Sequence, residues 1–414
     1  MIPFKSFPGL VIKPDWVEKV TTGSYDSYSP EERAVISSNN PYSFLNVTKS
    51  LEDLPSDQRD NIDGLLDGCL KAMDSLYEAE VYQDFNTPSL FIYRIEIPYE
   101  SITHSQTGIV GLIPVESNDN FSILRHEKVR PERSLLMSKH LLALRSSSSP
   151  ISLTYRNDRH LNSVMNSFTK DKPILTTENN ELKQKVWKIS GDQVDHFLEL
   201  LGQRDLYITD GHHRMAAAEE ALRQSDAASE AFRWTQAVLF PDNELLVLPF
   251  HRRVGDLKNR NAQDLIEELA SIGELVECSE KNFAIPKQPG QVGVYLDKKW
   301  YLMNLPEAAS EKAVDRIDVS RLQAGVLEPV FEVRDPSTHT SIDYVPAPLG
   351  LDALSKRCDF DRWTGFILHP LNISDLMDIA DSGELMPPKS SYLIPKPRSG
   401  VFVRNLEKEG IKDY

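Results

Sequence analysis

The chain has 414 residues, 40% of them hydrophobic and 26% charged, ordinary globular proportions that exclude a disordered, fibrous or disulfide-stapled chain. Its formal charge of −16, from 46 Lys and Arg against 62 Asp and Glu, argues against duplex DNA or another large polyanion as the main partner, because neutralising phosphates takes a surplus of cations. No apolar run reaches the length of a membrane-spanning helix, so no membrane partner is expected, and a chain this long predicts at least two domains. The first residues, MIPFKSFPGLVIKP, lack the basic-then-apolar layout of a signal peptide, which makes the cytoplasm the expected address. Cys69, Cys278 and Cys358 are widely spaced, belong to no paired metal motif and fit a reducing compartment.

In chain order, a helix is expected after Ser29, with Pro30 at its first position, Glu31 and Glu32 in its first turn and Asn39, Asn40 and Pro41 at its end. The apolar spacing of Ile62, Leu65, Leu66, Leu70, Met73, Leu76 and Tyr77 predicts an amphipathic helix within residues 57–82. Strands follow at 89–97 (SLFIYRIEI) and 108–115 (GIVGLIPV), then a helix around Leu135 to Leu144. The serines 146–149 read as a solvated turn before the strand ISLTY at 151–155. One or two helices, a strand at 186–189 and the helix DQVDHFLELL lead to LYITDGHHRMAAAEE at 206–220, a strand, a polar turn and an alanine-rich helix. TQAVLF and LLVLPFHR, either side of PDNE, read as a hairpin-like pair of strands. Beyond Val254 helices and strands alternate, with a helix from Ser374 to Asp381 capped by Ser374, and Lys389 and Ser390 on a proline-stiffened turn before the last strands. The fold class is α/β.

The chemistry is densest at Asp210, Gly211, His212, His213 and Arg214. A plain structural role, Asp210 as a helix N-cap and Gly211 as a turn residue, explains two of the five. Cationic groups are not what the positive end of a helix dipole favours, so a bound anion would compensate them, and backbone N–H groups at a helix start suit a phosphate. Adjacent helical histidines diverge by about 100° around the axis, which makes a shared metal ion the lesser reading. No GxSxG elbow supports a serine hydrolase.

A second titratable stretch, RHEKVRPER at 125–133, carries Arg125, His126, Glu127, Lys128, Arg130 and Arg133. It reads either as a charged surface turn or as a site in which Glu127, kept ionised by its basic neighbours, accepts a substrate proton while arginines hold a phosphoryl group. His251 with Arg252, and Lys389 with Ser390, join it only where the fold gathers them.

DGHHR, together with NPYSFLNV, GIVGLIPVE, RHEKV, SPISLTY, LPFHRRV and MPPKSSYLIPKPRSGVFV, resembles a bacterial family long catalogued as a domain of unknown function. That family resembles members of the ParB and sulfiredoxin-like superfamily and is similar to free-serine kinases, which phosphorylate L-serine to O-phosphoserine with an adenine nucleotide. The resemblance implies a ParB/sulfiredoxin-like mixed-sheet catalytic region over residues 1–255 and a C-terminal α/β lobe over 256–414 contributing to the cleft.

On the same grounds Gly211, His212, His213 and Arg214 are expected to hold the nucleotide phosphates; the kinases use a carboxylate base, a role its basic setting gives to Glu127, with Asp210 and His212 also expected to be catalytic. Arg125, His126, Arg130, His251, Lys389 and Ser390 are expected to contact substrate or phosphate. ATP or ADP is the expected donor, with Mg²⁺ to neutralise the transferring group and no metal site built by the protein alone. His212 stands where sulfiredoxins place a cysteine, which argues against sulfinic acid reduction. No basic recognition helix supports DNA binding. The competing expectation is a non-catalytic nucleotide- or phosphate-binding regulator of the same fold; a phosphate-ester hydrolase would need metal ligands the sequence does not assemble.

Overall fold

The computed structural model describes residues 3–410 apart from 118–121, 203, 226–229, 257 and 259. The chain divides into two compact units, one made of Met1–Ile123, Val129–Leu245 and Pro395–Tyr414, the other of Leu124–Lys128 and Leu246–Ile394. Both mix helix and strand, which gives the α/β class. Among the described residues no helix is long and apolar enough to cross a membrane.

In the main sheet of the first unit, neighbouring strands run Leu206–Asp210, Ile151–Tyr155, Trp234–Pro241, Ile102–Pro114, Leu90–Tyr99, Lys183–Ile189 and Leu175–Glu178. Trp234–Pro241 lies parallel to Ile151–Tyr155 and antiparallel to Ile102–Pro114. Its side chains alternate between two cores. Val238 and Phe240 meet Met73, Phe91, Tyr93 and Phe402 on one face, while Ala237 and Leu239 meet Leu153, Met165, Phe197 and Ile208 on the other. Burial on both faces is why these strands read as unbroken apolar runs with no period of two. Each fully buried Phe or Leu contributes about 1.5–3 kcal/mol of transfer free energy.

Helices Arg159–Phe168 and Asp192–Leu201 cover the second face through Leu161, Met165, Phe197 and Leu201. On the first face lie helix Ile62–Glu78, through Met73 and Leu76, and a small sheet ordered Tyr82–Asp84, Gly9–Ile12, Phe402–Asn405, Ser146–Ser147. The late strand Phe402–Asn405 is thus an inner strand, with Leu10 opposite Val403 and Ser147 opposite Arg404.

Several expectations change here. The helix expected within 57–82 spans Ile62–Glu78, because the Asn61 side chain accepts the Gly64 N–H at 2.9 Å and starts it there. The serine run is not a solvated turn: Ser146–Ser147 pairs in a sheet, and the Ser149 and Ser399 hydroxyls share a 2.7 Å hydrogen bond. The expected hairpin does not form. Trp234–Pro241 has both edges filled, and Leu246–Leu248 pairs with Tyr392–Ile394 in the second unit.

The second unit holds an antiparallel sheet ordered Leu275–Cys278, Lys299–Asn304, Gln291–Leu296, Thr364–Leu368, Phe250–Val254, Ile342–Pro346. Helix Gly350–Asp361 packs Leu354 and Cys358 against Tyr295, Val345 and Ile367. The late helix begins at Ile373 with Asn372 as its N-cap, two residues earlier than the expected cap Ser374.

Candidate functional site

The strand Leu206–Asp210 is buried up to its last residue, and its register against Ile151–Tyr155 shifts between Ile208 and Asp210. A bulge of this kind re-aims the side chain that follows it. Gly211 comes next with φ 106°, a left-handed conformation that favours glycine, and serves as N-cap of helix His212–Gln224. Asp210 is therefore the last strand residue and not the cap. The first helical bond runs from the Met215 N–H to the Gly211 carbonyl at 2.9 Å. The amides of His212, His213 and Arg214 precede it, and the capping residue has no side chain to cover them.

Asp210 is held by a cation at each oxygen. Lys396 Nζ donates to Oδ1 at 2.7 Å, and Arg214 Nη2 donates to Oδ2. Burial by itself would push this carboxyl up, but the charges of Lys396 and Arg214, with His212 adding to them, hold it well below the usual carboxylate range. Arg214 is committed elsewhere as well: Nη1 donates to the carbonyls of Ser149 at 2.9 Å and Pro150 at 2.6 Å. Its guanidinium thus ties the helix start to the turn entering the neighbouring strand.

His213 Nε2 accepts the Arg130 N–H at 3.0 Å, which places the proton of a neutral ring on Nδ1. Arg130 is the residue before Pro131 and the N-cap of helix Pro131–Leu144, so the histidine satisfies an amide at the foot of a second helix. His212 is buried. The first unit therefore gathers Asp210, Gly211, His212, His213, Arg214 and Arg130 of the sequence-predicted residues, and adds Lys396, which sequence reasoning missed in favour of Lys389. The available signal was the flanking prolines of Pro395-Lys396-Pro397, which stiffen the backbone on both sides of one cation.

The second unit gathers the rest. The His126 carbonyl accepts the Met386 N–H at 2.8 Å, tying 124–128 to the start of the proline turn. His126 is fully buried, whereas Arg125 and Glu127 are half-buried. Arg252, 3% exposed, donates to the carbonyls of Pro388 at 3.2 Å and Lys389 at 2.9 Å, and to that of Phe250. Burial pulls its guanidinium down to about 10. Lys389 adopts a left-handed φ of 56° and sets its Nζ 5.1 Å from the centre of the Phe250 ring. Ser390 Oγ donates to the Pro387 carbonyl at 2.7 Å, inside the turn. His251 Nδ1 accepts the Leu368 N–H at 3.3 Å, and burial, followed by the charge of Arg252, lowers its imidazole to about 4.

Among the described residues no group of three or more His, Cys, Asp or Glu is gathered to hold a metal ion. Asp210, whose two oxygens already face cations, does not fit direct ligation either. A Mg²⁺ ion accompanying a nucleotide would be held by phosphate oxygens.

A family model described as "Protein of unknown function (DUF1015)" matches residues 3–320. The chain belongs to that family. Lys389, Ser390 and Lys396 lie beyond the matched stretch. No curated protein matches the sequence. Among solved structures it is similar to a free serine kinase in complex with AMP, at 14% identity and a TM-score of 0.36 over 72% of this chain and 90% of that one. It is also similar to SbnI with a C-terminal truncation from Staphylococcus aureus, at 12% identity and a TM-score of 0.38 over 73% and 90%. A conserved hypothetical protein from Pyrococcus furiosus is similar at 15% identity and a TM-score of 0.36 over 72% and 95%.

Proposed function

We propose that this protein binds an adenine nucleotide through the helix start at Gly211–Arg214 and transfers a phosphoryl group to the hydroxyl of a small metabolite, free L-serine first among them. The observation that supports the nucleotide half is the charge arrangement at Asp210, where one carboxylate faces Arg214 and Lys396 at the amide-rich end of a helix. Two cationic side chains beside the leading amides of a helix are a combination that attracts phosphate. The acceptor and the donor come from the resemblance of DGHHR, RHEKV and their companions to free-serine kinases.

In the reaction the serine hydroxyl oxygen forms a bond to the terminal phosphorus as the bond from that phosphorus to the nucleotide's bridging oxygen breaks. Glu127 is proposed to take the hydroxyl proton, and arginines to offset the charge that spreads over the phosphoryl oxygens. Asp210 is not suited to be the base, since a carboxylate stabilised by two cations is a weak proton acceptor. Its proposed part is electrostatic.

The alternative, a nucleotide-binding regulator without turnover, is favoured by the same double pairing of Asp210, because that carboxylate then supplies no base to the phosphate cradle. Incubating the protein with ATP or ADP, Mg²⁺ and L-serine, and following phosphoserine by phosphorus NMR, separates the two. Nucleotide binding with no phosphoserine would leave the regulator. With turnover established, Glu127→Gln abolishes it while sparing nucleotide affinity; retained turnover removes Glu127 from the base role.

A further inference from the structure

Each unit carries one surface that its own core leaves unused. In the first unit a groove of about 660 Å³ lies between the N-terminal half of helix Ile62–Glu78 and the C-terminal half of helix Pro131–Leu144. The earlier helix sends Leu65, Cys69, Met73 and Leu76 into the core. Leu66 stands about 100° round the axis from Leu65, and with Ile62 and Leu142 it lines the groove. Leu70, one turn further, is 37% exposed, so an apolar stripe at 62, 66 and 70 is left facing water. Asp60 and Asp63 border the groove on this side and Lys139 on the other. Neither carboxylate has a cation within ion-pair distance among the described residues. Acidic residues at a helix start complement its dipole, which accounts for the two aspartates but not for the apolar side chains beside them.

The second unit has a surface of the opposite character. Helix Gly350–Asp361 packs Leu354 and Cys358 inward and leaves Phe360 92% exposed. Lys356 and Arg357, four and three residues earlier, flank Phe360 on the same helix face. Arg362 follows as the C-cap. None of these three cations has a carboxylate within ion-pair distance among the described residues. The acids of the same helix are taken up elsewhere: Asp352 meets Lys281 at 2.5 Å, Asp359 accepts from the Tyr295 hydroxyl at 2.8 Å, and Asp361 meets Arg253 at 2.7 Å.

The two surfaces match in shape and in sign. An aromatic side chain that protrudes between cations complements an apolar groove edged by carboxylates, and the groove has the volume of a small-ligand pocket. For a chain with a formal charge of −16, like-charge repulsion opposes most ways of joining two copies. A local match of opposite sign therefore selects the way that remains.

We infer that the Phe360 face of helix Gly350–Asp361 docks into the first-unit groove of a second copy of this chain. Phe360 enters against Ile62, Leu66 and Leu142, and Lys356 and Arg357 meet Asp60 and Asp63. Because knob and groove are different surfaces, the contact is heterologous, and each copy keeps one of each to offer to the next. One aromatic knob with a charged rim is small beside a standard interface, so the association is weak, with a dissociation constant on the order of 10⁻⁴ M.

Sedimentation velocity on the full chain, at concentrations below and above that value, tests the inference. The wild type should shift from monomer to larger species as concentration rises, and added salt should reduce the shift. Phe360→Ser and Leu66→Glu should each abolish it. Mixed together, the two variants should associate again and stop at the pair, since the first keeps an intact groove and the second an intact knob. Asp60→Lys with Asp63→Lys, both at exposed positions, replaces Leu66→Glu if that variant does not fold. A wild type that stays monomeric throughout, an association indifferent to salt, or a folded variant that assembles as the wild type does would overturn the inference. A mixture that stays monomeric would overturn it too, by showing that Phe360 and the groove do not meet.

Discussion

Gly211 and Arg214 share one small volume. A Cβ on Gly211 would sit 3.0 Å from both Nε and Nη2 of the Arg214 guanidinium, and the backbone there has φ 106°. The glycine of DGHHR is therefore needed for the close approach of the protein's own arginine as well as for the turn. Gly211→Ala should cost about 1–3 kcal/mol through backbone strain alone, and more through displacement of the guanidinium. Urea unfolding of Gly211→Ala, Arg214→Ala and the double variant separates the parts. The alanine's cost should fall when Arg214 is already gone, and strict additivity would show that the two do not compete for space.

Arg214→Ala should destabilise the first unit measurably, which a residue serving only a ligand would not do. It removes a donor from the Ser149 and Pro150 carbonyls and one of the two cations bonded to Asp210. Hydrogen bonds to a charged partner typically contribute about 1.5–3 kcal/mol, so a loss of about 2 kcal/mol is expected. Arg214→Lys should recover less than half, since one ammonium cannot span three acceptors. Unchanged unfolding midpoints for both variants would remove the bracing role.

What the sequence made legible follows the range of the interactions involved. Asp210–Arg214 could be recognised because its oddity is local: cationic side chains at a helix start, beside a glycine. The structure answers part of that oddity internally, since Arg214 and His213 serve neighbouring backbone groups. Strands such as Ile151–Tyr155 were found at their observed limits because buried apolar runs between turn residues announce themselves. Their partners did not, and Trp234–Pro241 was paired with the wrong neighbour because two-sided burial erases the alternation that identifies an edge. Lys396 escaped notice for a similar reason. Its meaning depends on Asp210, and no short-range pattern connects positions so far apart in the chain.

Arg252 should be the most costly of the second unit's candidates to replace. Its buried guanidinium supplies the carbonyls of Phe250, Pro388 and Lys389, and it holds the turn that sets Lys389 at its left-handed φ. A buried cation exchanged for a well-packed apolar side chain can be neutral when its partners leave with it. Here the carbonyls stay behind, so Arg252→Met should lose about 2–4 kcal/mol. Proteolytic cleavage near Pro387–Ser390 should rise along with that loss. A variant as stable and as protease-resistant as the wild type would show that the turn holds itself.

His251 adds a pH dependence whose sign is fixed by its lowered imidazole. In the folded chain it titrates at about 4, against an ordinary 6.5, because burial and then the Arg252 charge penalise the protonated ring. Above pH 6.5 neither the folded nor the unfolded chain protonates this side chain, and its contribution to stability is intact. Between 6.5 and 4 only the unfolded chain takes up the proton, so stability falls as the pH is lowered through that window and levels off below it. At about 1.4 kcal/mol per pH unit the full effect is about 3 kcal/mol. His251→Asn keeps an acceptor for the Leu368 N–H and removes the titration. The stability difference between wild type and variant, measured by urea unfolding from pH 7.5 to 4, should therefore drift in favour of the variant as the pH drops. A constant difference over that range would mean that the imidazole is protonated in the fold at its ordinary pH, and that neither burial nor Arg252 governs it.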